Sequence, residues 1–327
     1  MNGVSGGAGI AVRVARKTVE AEGVAGFRLV PVDGERLPAF TPGAHIDVAL
    51  PGGLVRQYSL CNASAPDDAG HYEIGVLRDA ASRGGSRAMH DAVHEGSVLQ
   101  IGPPRNLFAL DESATHSLLL AGGIGVTPLL SMAQRLAALG GGFAVHCCGR
   151  SAGGAPHPRR LEDSTFTDKV FFHHDDGPPA QHIDLAATLG RPAPGRHVYV
   201  CGPSGFLEAV RTTARALHWA DAQVHFESFS GAAPPADGQG SFEVELHRSR
   251  RVVRIPATMT VLDALAAEGI EIPVSCAQGV CGTCLTRVLA GEVAHHDLYL
   301  TPAEQAANDC FLPCCSRARS PRLVLDL

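Results

Sequence analysis

Near the end of the chain, Cys276, Cys281 and Cys284 form a C-x4-C-x2-C run. The residues between them are small: Ala-Gln-Gly-Val in the first gap and Gly-Thr in the second. A loop wrapped around an inorganic core needs such residues, because its backbone amides must turn toward sulfur. Gly279 and Gly282 supply that freedom. A zinc site pairs C-x2-C with a second close pair, which the four-residue gap fits poorly. A [2Fe–2S] cluster needs four soft thiolates. Cys310, Cys314 and Cys315 are all available for the fourth, and chemistry alone leaves the three open. Chance crowding of buried thiols is the competing reading, since six of the chain's ten cysteines fall from Cys276 onward.

Clustered thiols of this kind fit a reducing compartment, where they serve as metal ligands rather than disulfides. Met1 to Ile10 is Gly-rich and lacks a basic stretch followed by an apolar core, so it does not read as a signal peptide. No apolar run reaches the roughly 18 residues needed to span a bilayer. A cytoplasmic protein without a membrane segment is expected, with residues 1–10 as a loose extension. The net charge is −6, which argues against nucleic acid or an acidic membrane surface as a partner. Of the basic residues only Lys17 and Lys169 are lysines, a bias that reads as genomic.

The 327 residues divide into three textures, enough for two or three domains. Residues 11–112 alternate apolar and polar positions between Pro and Gly turns, as at Phe27–Val32, His45–Leu50, Val55–Cys61 and His71–Arg78. One helix reads at Ser86–Val93. Many short strands with turn signals predict an antiparallel β-barrel. Residues 113–229 alternate strand and helix, which predicts an α/β domain with a parallel sheet. Its strands read at Leu118–Ala121, Phe143–Cys148, Lys169–His173, His197–Cys201 and Gln223–Phe226, and its helices at Pro128–Leu139 and Ser204–Leu217. Residues 230–240 are small and rich in Pro and Gly, as an interdomain linker would be. Residues 241–327 open with a hairpin, Phe242–His247 and Arg251–Ile255. A helix over Val261–Glu268 follows, capped by Thr260 and stopped by Gly269. Thr301-Pro302-Ala303-Glu304 opens another.

Two turns lie at the carboxyl ends of the predicted parallel strands. Gly122-Gly123-Ile124-Gly125-Val126-Thr127-Pro128 joins a strand to a helix, with Thr127 read as the cap and Pro128 as the first helical position. Bare amides there attract a pyrophosphate. The usual third glycine is replaced by Pro128, and no Gly-Lys-Ser/Thr follows, which excludes a P-loop. A purely structural strand–turn–helix is the competing reading. Cys201-Gly202-Pro203-Ser204 is the second turn, and Cys201 alone would pass for a buried thiol. Arg150 and Ser151 follow the second strand of this domain. On the barrel, Arg56-Gln57-Tyr58-Ser59 offers a guanidinium for a phosphate, an aromatic wall and a hydroxyl. Arg83-Gly84-Gly85-Ser86 is a second anion cradle. His173-His174-Asp175-Asp176 and His295-His296-Asp297 read as surface turns rather than metal sites. Cys147 and Cys148 read as the end of a buried strand.

Taken in this order, the motifs resemble the phthalate dioxygenase reductase family, with the vanillate O-demethylase reductase type as the nearest look. The last part is similar to plant-type ferredoxin domains. That resemblance selects Cys314 to join Cys276, Cys281 and Cys284 as cluster ligands, and it makes Arg322–Leu327 the closing strand of a β-grasp sheet. It implies a flavin barrel binding FMN through Arg56, Gln57, Tyr58, Ser59, Gly75, Val76, Leu77, Arg83, Gly84, Gly85, Ser86, Thr127, Ser228 and Phe229. It implies a nucleotide site of Gly122, Gly123, Gly125, Thr127, Arg150, Cys201, Gly202 and Pro203. One arginine leaves NADH and NADPH both open, and the resemblance implies NADH. Cys201, Phe229, Ser59 and Glu227 are then the reacting centre, with Phe229 covering the flavin face. The implied activity is electron transfer from NADH to FMN to [2Fe–2S] to a Rieske-type terminal oxygenase, through a small, transient contact. Supply of a cytochrome P450 is the alternative, and a non-catalytic redox sensor is a third.

Overall fold

The computed structural model describes residues 9–50, 53–63, 70–80, 84–151, 158–229, 240–274, 279, 282–297 and 299–327. They form two compact units, Met1–Ser228 and Phe229–Leu327.

The first unit begins with six antiparallel strands: β1 (Ile10–Ala21), β2 (Val24–Pro31), β3 (His45–Ala49), β4 (Val55–Ser59), β5 (Tyr72–Leu77) and β6 (Val98–Ile101). They lie in the order β4-β3-β6-β1-β2-β5. A bridge between Leu60 and Ile74, with Cys61 N–H donating to Glu73 O at 2.9 Å, joins the two edges and closes a barrel. Alternate residues such as Val12, Val14, Phe27, Leu29, Ile46, Val48 and Ile74 fill it. Helix α1 (Gly85–Asp91) seats Met89 in this core. The Lys17 ammonium donates to His90 O and Val93 O at 2.7 Å each, satisfying carbonyls at the end of that helix.

Five parallel strands follow: β7 (His116–Gly122), β8 (Phe143–Gly149), β9 (Val170–His174), β10 (Arg196–Cys201) and β11 (Val224–Glu227), in the order β11-β10-β7-β8-β9. Helices α2 (Val126–Leu139), α3 (Pro158–Glu162), α4 (Leu185–Leu189) and α5 (Ser204–Ala216) connect them. From β7 the chain first builds outward through β8 and β9, then returns to place β10 on the other side. The strand order therefore reverses between β7 and β10, where open α/β sheets bind ligands.

The second unit carries β12 (Phe242–Leu246), β13 (Val252–Ile255), α6 (Val261–Ala267), β14 (Thr286–Ala290), β15 (Val293–Ala294), α7 (Pro302–Ala307), β16 (Cys310–Phe311), β17 (Arg317–Ala318) and β18 (Arg322–Leu325). The sheet order is β13-β12-β18-β14-β16, with β12 and β18 parallel at its centre and α6 packed on the same core, a β-grasp. Thr260 caps α6 by accepting from Asp263 N–H, and Thr301 with Glu304 forms a capping box on α7. Arg317 is buried, and among the described residues no carboxylate bonds to it. Its guanidinium donates to Met259 O at 2.6 Å, Pro256 O at 3.1 Å and Gly240 O at 3.4 Å, and lies over the Phe242 ring. Among the described residues no helix is long and apolar enough to cross a membrane.

Four expectations change. Thr127 does not cap α2: a 3-10 turn over Gly123–Gly125 starts the helix early, Gly125 takes the cap position, and the Thr127 hydroxyl donates back to Ile124 O at 3.1 Å. Ile10 belongs to β1, paired with Ile101, rather than to a loose extension. His173 and His174 lie on β9, not in a turn, and the His173 ring meets His146 at 3.0 Å, Nε2 to Nδ1. Burial, then the neighbouring His173, pushes His146 down to about 4. Asp297 is buried rather than exposed. It accepts from Leu300 N–H at 2.8 Å and the Ser316 hydroxyl at 3.2 Å, with His295 Nδ1 at 3.3 Å.

Candidate functional site

β4 carries Arg56, Gln57, Tyr58 and Ser59, as its alternating sequence requires. Their neighbours come from β3 by register, with His45 opposite Ser59 and Ile46 opposite Tyr58. Gly75, Val76 and Leu77 lie on β5. Gly84, at φ +93°, turns the chain into α1, and Gly85 comes directly under Arg56. A Cβ on Gly85 would fall 2.6 Å from both Cγ and Nε of Arg56, so only glycine lets the arginine cross this turn. The Ser86 hydroxyl accepts from Asp79 N–H at 3.2 Å and closes the same turn. A cation beside a glycine turn that opens a helix fits a phosphate. Arg83 lies outside the described residues. Burial raises the Tyr58 phenol to about 12, against the opposing charge of Arg56, so it stays a neutral wall.

The two turns on the parallel sheet meet backbone to backbone. A Cβ on Gly122 would lie 2.9 Å from Pro203 Cδ and 3.3 Å from Gly202 Cα, and one on Gly125 would collide with the Cys201 carbonyl. Gly123, at φ +54°, faces open space. The glycines therefore bring the ends of β7 and β10 close enough to make one groove, whose floor is main chain. Main chain at the start of a helix, at the carboxyl end of a parallel sheet, fits a dinucleotide's phosphates. Arg150 and Ser151 follow β8, with Arg150 exposed. Pro203 precedes α5.

Beside this groove the barrel and the sheet meet. The Ser59 hydroxyl donates to Glu227 Oε2 at 3.4 Å, and Glu227 lies opposite Cys201 in the β10–β11 register. Burial raises the Glu227 carboxyl to about 8, opposed only by the Ser59 bond. The carboxyl is thus held as a neutral acid at pH 7. Cys201 is fully buried, and burial followed by the nearby Glu227 holds its thiol well above the usual range. It is a neutral, polarisable wall rather than a nucleophile. Ser228 is buried next to this pair. Phe229, about 36% exposed, opens the second unit.

In the second unit, Cys276 and Cys281 lie outside the described residues. Cys284 and Cys314 are buried with their thiols in hydrogen-bond contact, and the Gly279 amide bonds to the Cys314 side. Gly279 and Gly282 have φ of +75° and +71°. A Cβ on Gly279 would collide with Cys315 Sγ, and one on Gly282 would fall within the Tyr299 ring. The loop thus needs glycine at both positions, and the donor set is soft, which fits an iron–sulfur cluster. Cys315 bonds to the Cys314 side chain as well, and its Sγ lies 3.7 Å from Leu312 O, while Cys310 sits on β16 opposite Arg287. Glu73, Arg160, Asp297 and Arg317 carry interactions that no motif announced.

A barrel with a phosphate turn, a parallel sheet with a dinucleotide groove and a β-grasp module with paired cysteines define an iron–sulfur flavoprotein oxidoreductase. Residues 244–319 match the 2Fe-2S iron-sulfur cluster binding domain family. The chain is 50% identical over 318 residues to the vanillate O-demethylase oxidoreductase of Pseudomonas sp. (strain HR199 / DSM 7063), covering 97% of this chain and 100% of that protein. The solved structure of phthalate dioxygenase reductase, described as a modular structure for electron transfer from pyridine nucleotides to [2Fe–2S], superposes with a TM-score of 0.77. The two are 37% identical, with 98% of each chain covered. An intact type IV self-sufficient cytochrome P450 monooxygenase matches with a TM-score of 0.78 and 36% identity, over 98% of this chain and 41% of that one. The chain belongs to the phthalate dioxygenase reductase family.

Proposed function

We propose that this chain carries electrons from NADH through FMN and a [2Fe–2S] cluster to a Rieske-type terminal oxygenase, as a cytoplasmic protein making a transient contact with that partner. The observation that carries the reading is the seam where Ser59 of the flavin strand meets Glu227, beside the Gly122–Gly125 and Cys201–Pro203 groove. FMN, when bound, takes the two electrons of a hydride and releases them singly, which the one-electron cluster requires.

Arg56 and the Gly84–Ser86 turn hold the flavin phosphate, with Arg83 as a further ligand. Gln57, Tyr58, Gly75, Val76 and Leu77 line its ring. Gly122, Gly123 and Gly125 seat the nucleotide pyrophosphate against the start of α2, and Arg150 reads the adenosine end. Cys201 and Gly202 bound the nicotinamide, and the neutral Glu227 keeps a proton next to Ser59 without placing a full negative charge there. Cys284 and Cys314, with Cys276 and Cys281, ligate the cluster.

A visible spectrum before and after NADH tests the reading. Flavin and iron–sulfur bands that bleach together support it, and an unreactive spectrum overturns it. The fused P450 homologue favours a second acceptor, so the reduced protein is offered both a cognate Rieske oxygenase and a P450. Turnover with the P450 alone would replace the first choice.

A further inference from the structure

Arg160 belongs to none of the motifs above, yet its side chain leaves the nucleotide sheet and grips the barrel. Its Nη2 lies 2.6 Å from Glu73 Oε2 on β5, and its Nη1 donates to Cys61 Sγ at 3.5 Å. The Cys61 thiol in turn donates to Glu73 O at 3.3 Å, which closes a ring of three residues. Burial keeps Cys61 a thiol, pushed up to about 12 even with Arg160 beside it. The other Glu73 oxygen accepts from Arg28 Nε at 2.8 Å and faces His71 at 3.4 Å. Burial alone would raise the Glu73 carboxyl, but Arg160 and then Arg28 outweigh it and hold it below the usual range. The next residue, Leu161, is fully buried in the core of the nucleotide sheet, a core that also takes in Cys61. Arg160 therefore cannot swing away independently.

The placement of this ring matters. Cys61 lies two residues beyond Ser59, on the strand segment that carries Arg56 and Tyr58. Arg160 follows the Arg150–Ser151 turn on the segment leading out of β8. A second tie, Ser59 to Glu227 at 3.4 Å, comes from β11 at the opposite edge of the sheet. One tie from β11 and one from the β8–β9 connection hold the sheet against the barrel.

We propose that Arg160 is a positioning residue for hydride transfer: by joining Glu73 and Cys61 to α3, it sets the separation between the flavin strand and the dinucleotide groove. The proposal rests on the function read above. Transfer needs reacting atoms about 3–3.5 Å apart, and a displacement of about 1 Å costs roughly 100-fold in rate. Arg28 still pairs with Glu73 when Arg160 is lost, so the variants should fold.

The experiment is stopped-flow bleaching of the flavin by NADH in the holoprotein. Arg160→Gln should lower the limiting rate by about 10- to 100-fold. Its NADH dissociation constant should stay within about threefold, with flavin content and cluster spectrum unchanged. Arg160→Lys should recover part of the rate, since it restores one charge without the fork. Glu73→Gln should reproduce the loss, and the double variant should lose no more than either single. A full-rate Arg160→Gln, a loss confined to NADH affinity, or additive losses in the double variant would overturn the proposal. So would loss of flavin from both single variants, which would mark a structural role. Wild-type protein that NADH does not bleach at all would instead overturn the functional reading, and the proposal with it.

Discussion

Replacing Glu227 by Gln probes the half-buried carboxyl at the barrel–sheet seam. The folded chain releases this proton near pH 8, whereas an ordinary glutamate does so near 4.5. Between those values the unfolded chain binds fewer protons than the folded one, so stability falls as pH rises. The penalty is absent below pH 4.5, grows through the neutral range and levels off above 8. Each pH unit between the two titrations is worth about 1.4 kcal/mol, which amounts to about 3 kcal/mol by pH 7. Gln keeps the shape and still accepts from Ser59, but it does not titrate. The assay is urea unfolding of the holoprotein, followed by release of flavin fluorescence, at pH 5 and pH 8. The variant should gain on the wild type by about 3 kcal/mol between those two conditions. Parallel pH curves for the two proteins would refute the assignment of a neutral Glu227.

Two further predictions address the other sites. Gly125→Ala places a methyl against the Cys201 carbonyl at a position whose φ of −59° is itself unstrained, so the cost comes from contact alone. About 1–3 kcal/mol of stability and at least about tenfold in NADH affinity should go, with flavin retained, as thermal unfolding and NADH titration would show. Cys314→Ser should abolish the normal cluster spectrum, whereas Cys310→Ser and Cys315→Ser should preserve it. Electron paramagnetic resonance of the reduced proteins separates these outcomes.

The reading of the sequence succeeded where local chemistry decides structure. The hairpin, the caps at Thr260 and Thr301 and the strand–turn–helix order at Gly122–Pro128 depend on neighbours a few residues away, although the cap of that last helix is Gly125 rather than Thr127. β1 was harder to see because register shifts at Val14/Arg16 and Val19/Ala21 break its alternation. Helices α3 and α4 have five residues each, too few to show a period. The remaining features depend on distant partners. Arg160 meets Cys61 across 99 residues, and His146 meets His173 through the parallel β8–β9 register. Arg317 reads as solvent-exposed by residue type, yet it is enclosed by carbonyls that only the folded β-grasp assembles. Asp297 resembles a turn residue until Ser316 and Leu300 are brought against it.

The floor of the nucleotide groove has an evolutionary consequence. Where Gly122 faces Gly202 and Gly125 faces the Cys201 carbonyl, no side chain exists to be trimmed, recharged or oxidised. Such a surface resists editing at Gly122 and Gly125, where an added carbon forces two strand ends apart. If the nucleotide sits as proposed, coenzyme preference is set away from this base, by side chains such as Arg150 and Ser151 beyond β8.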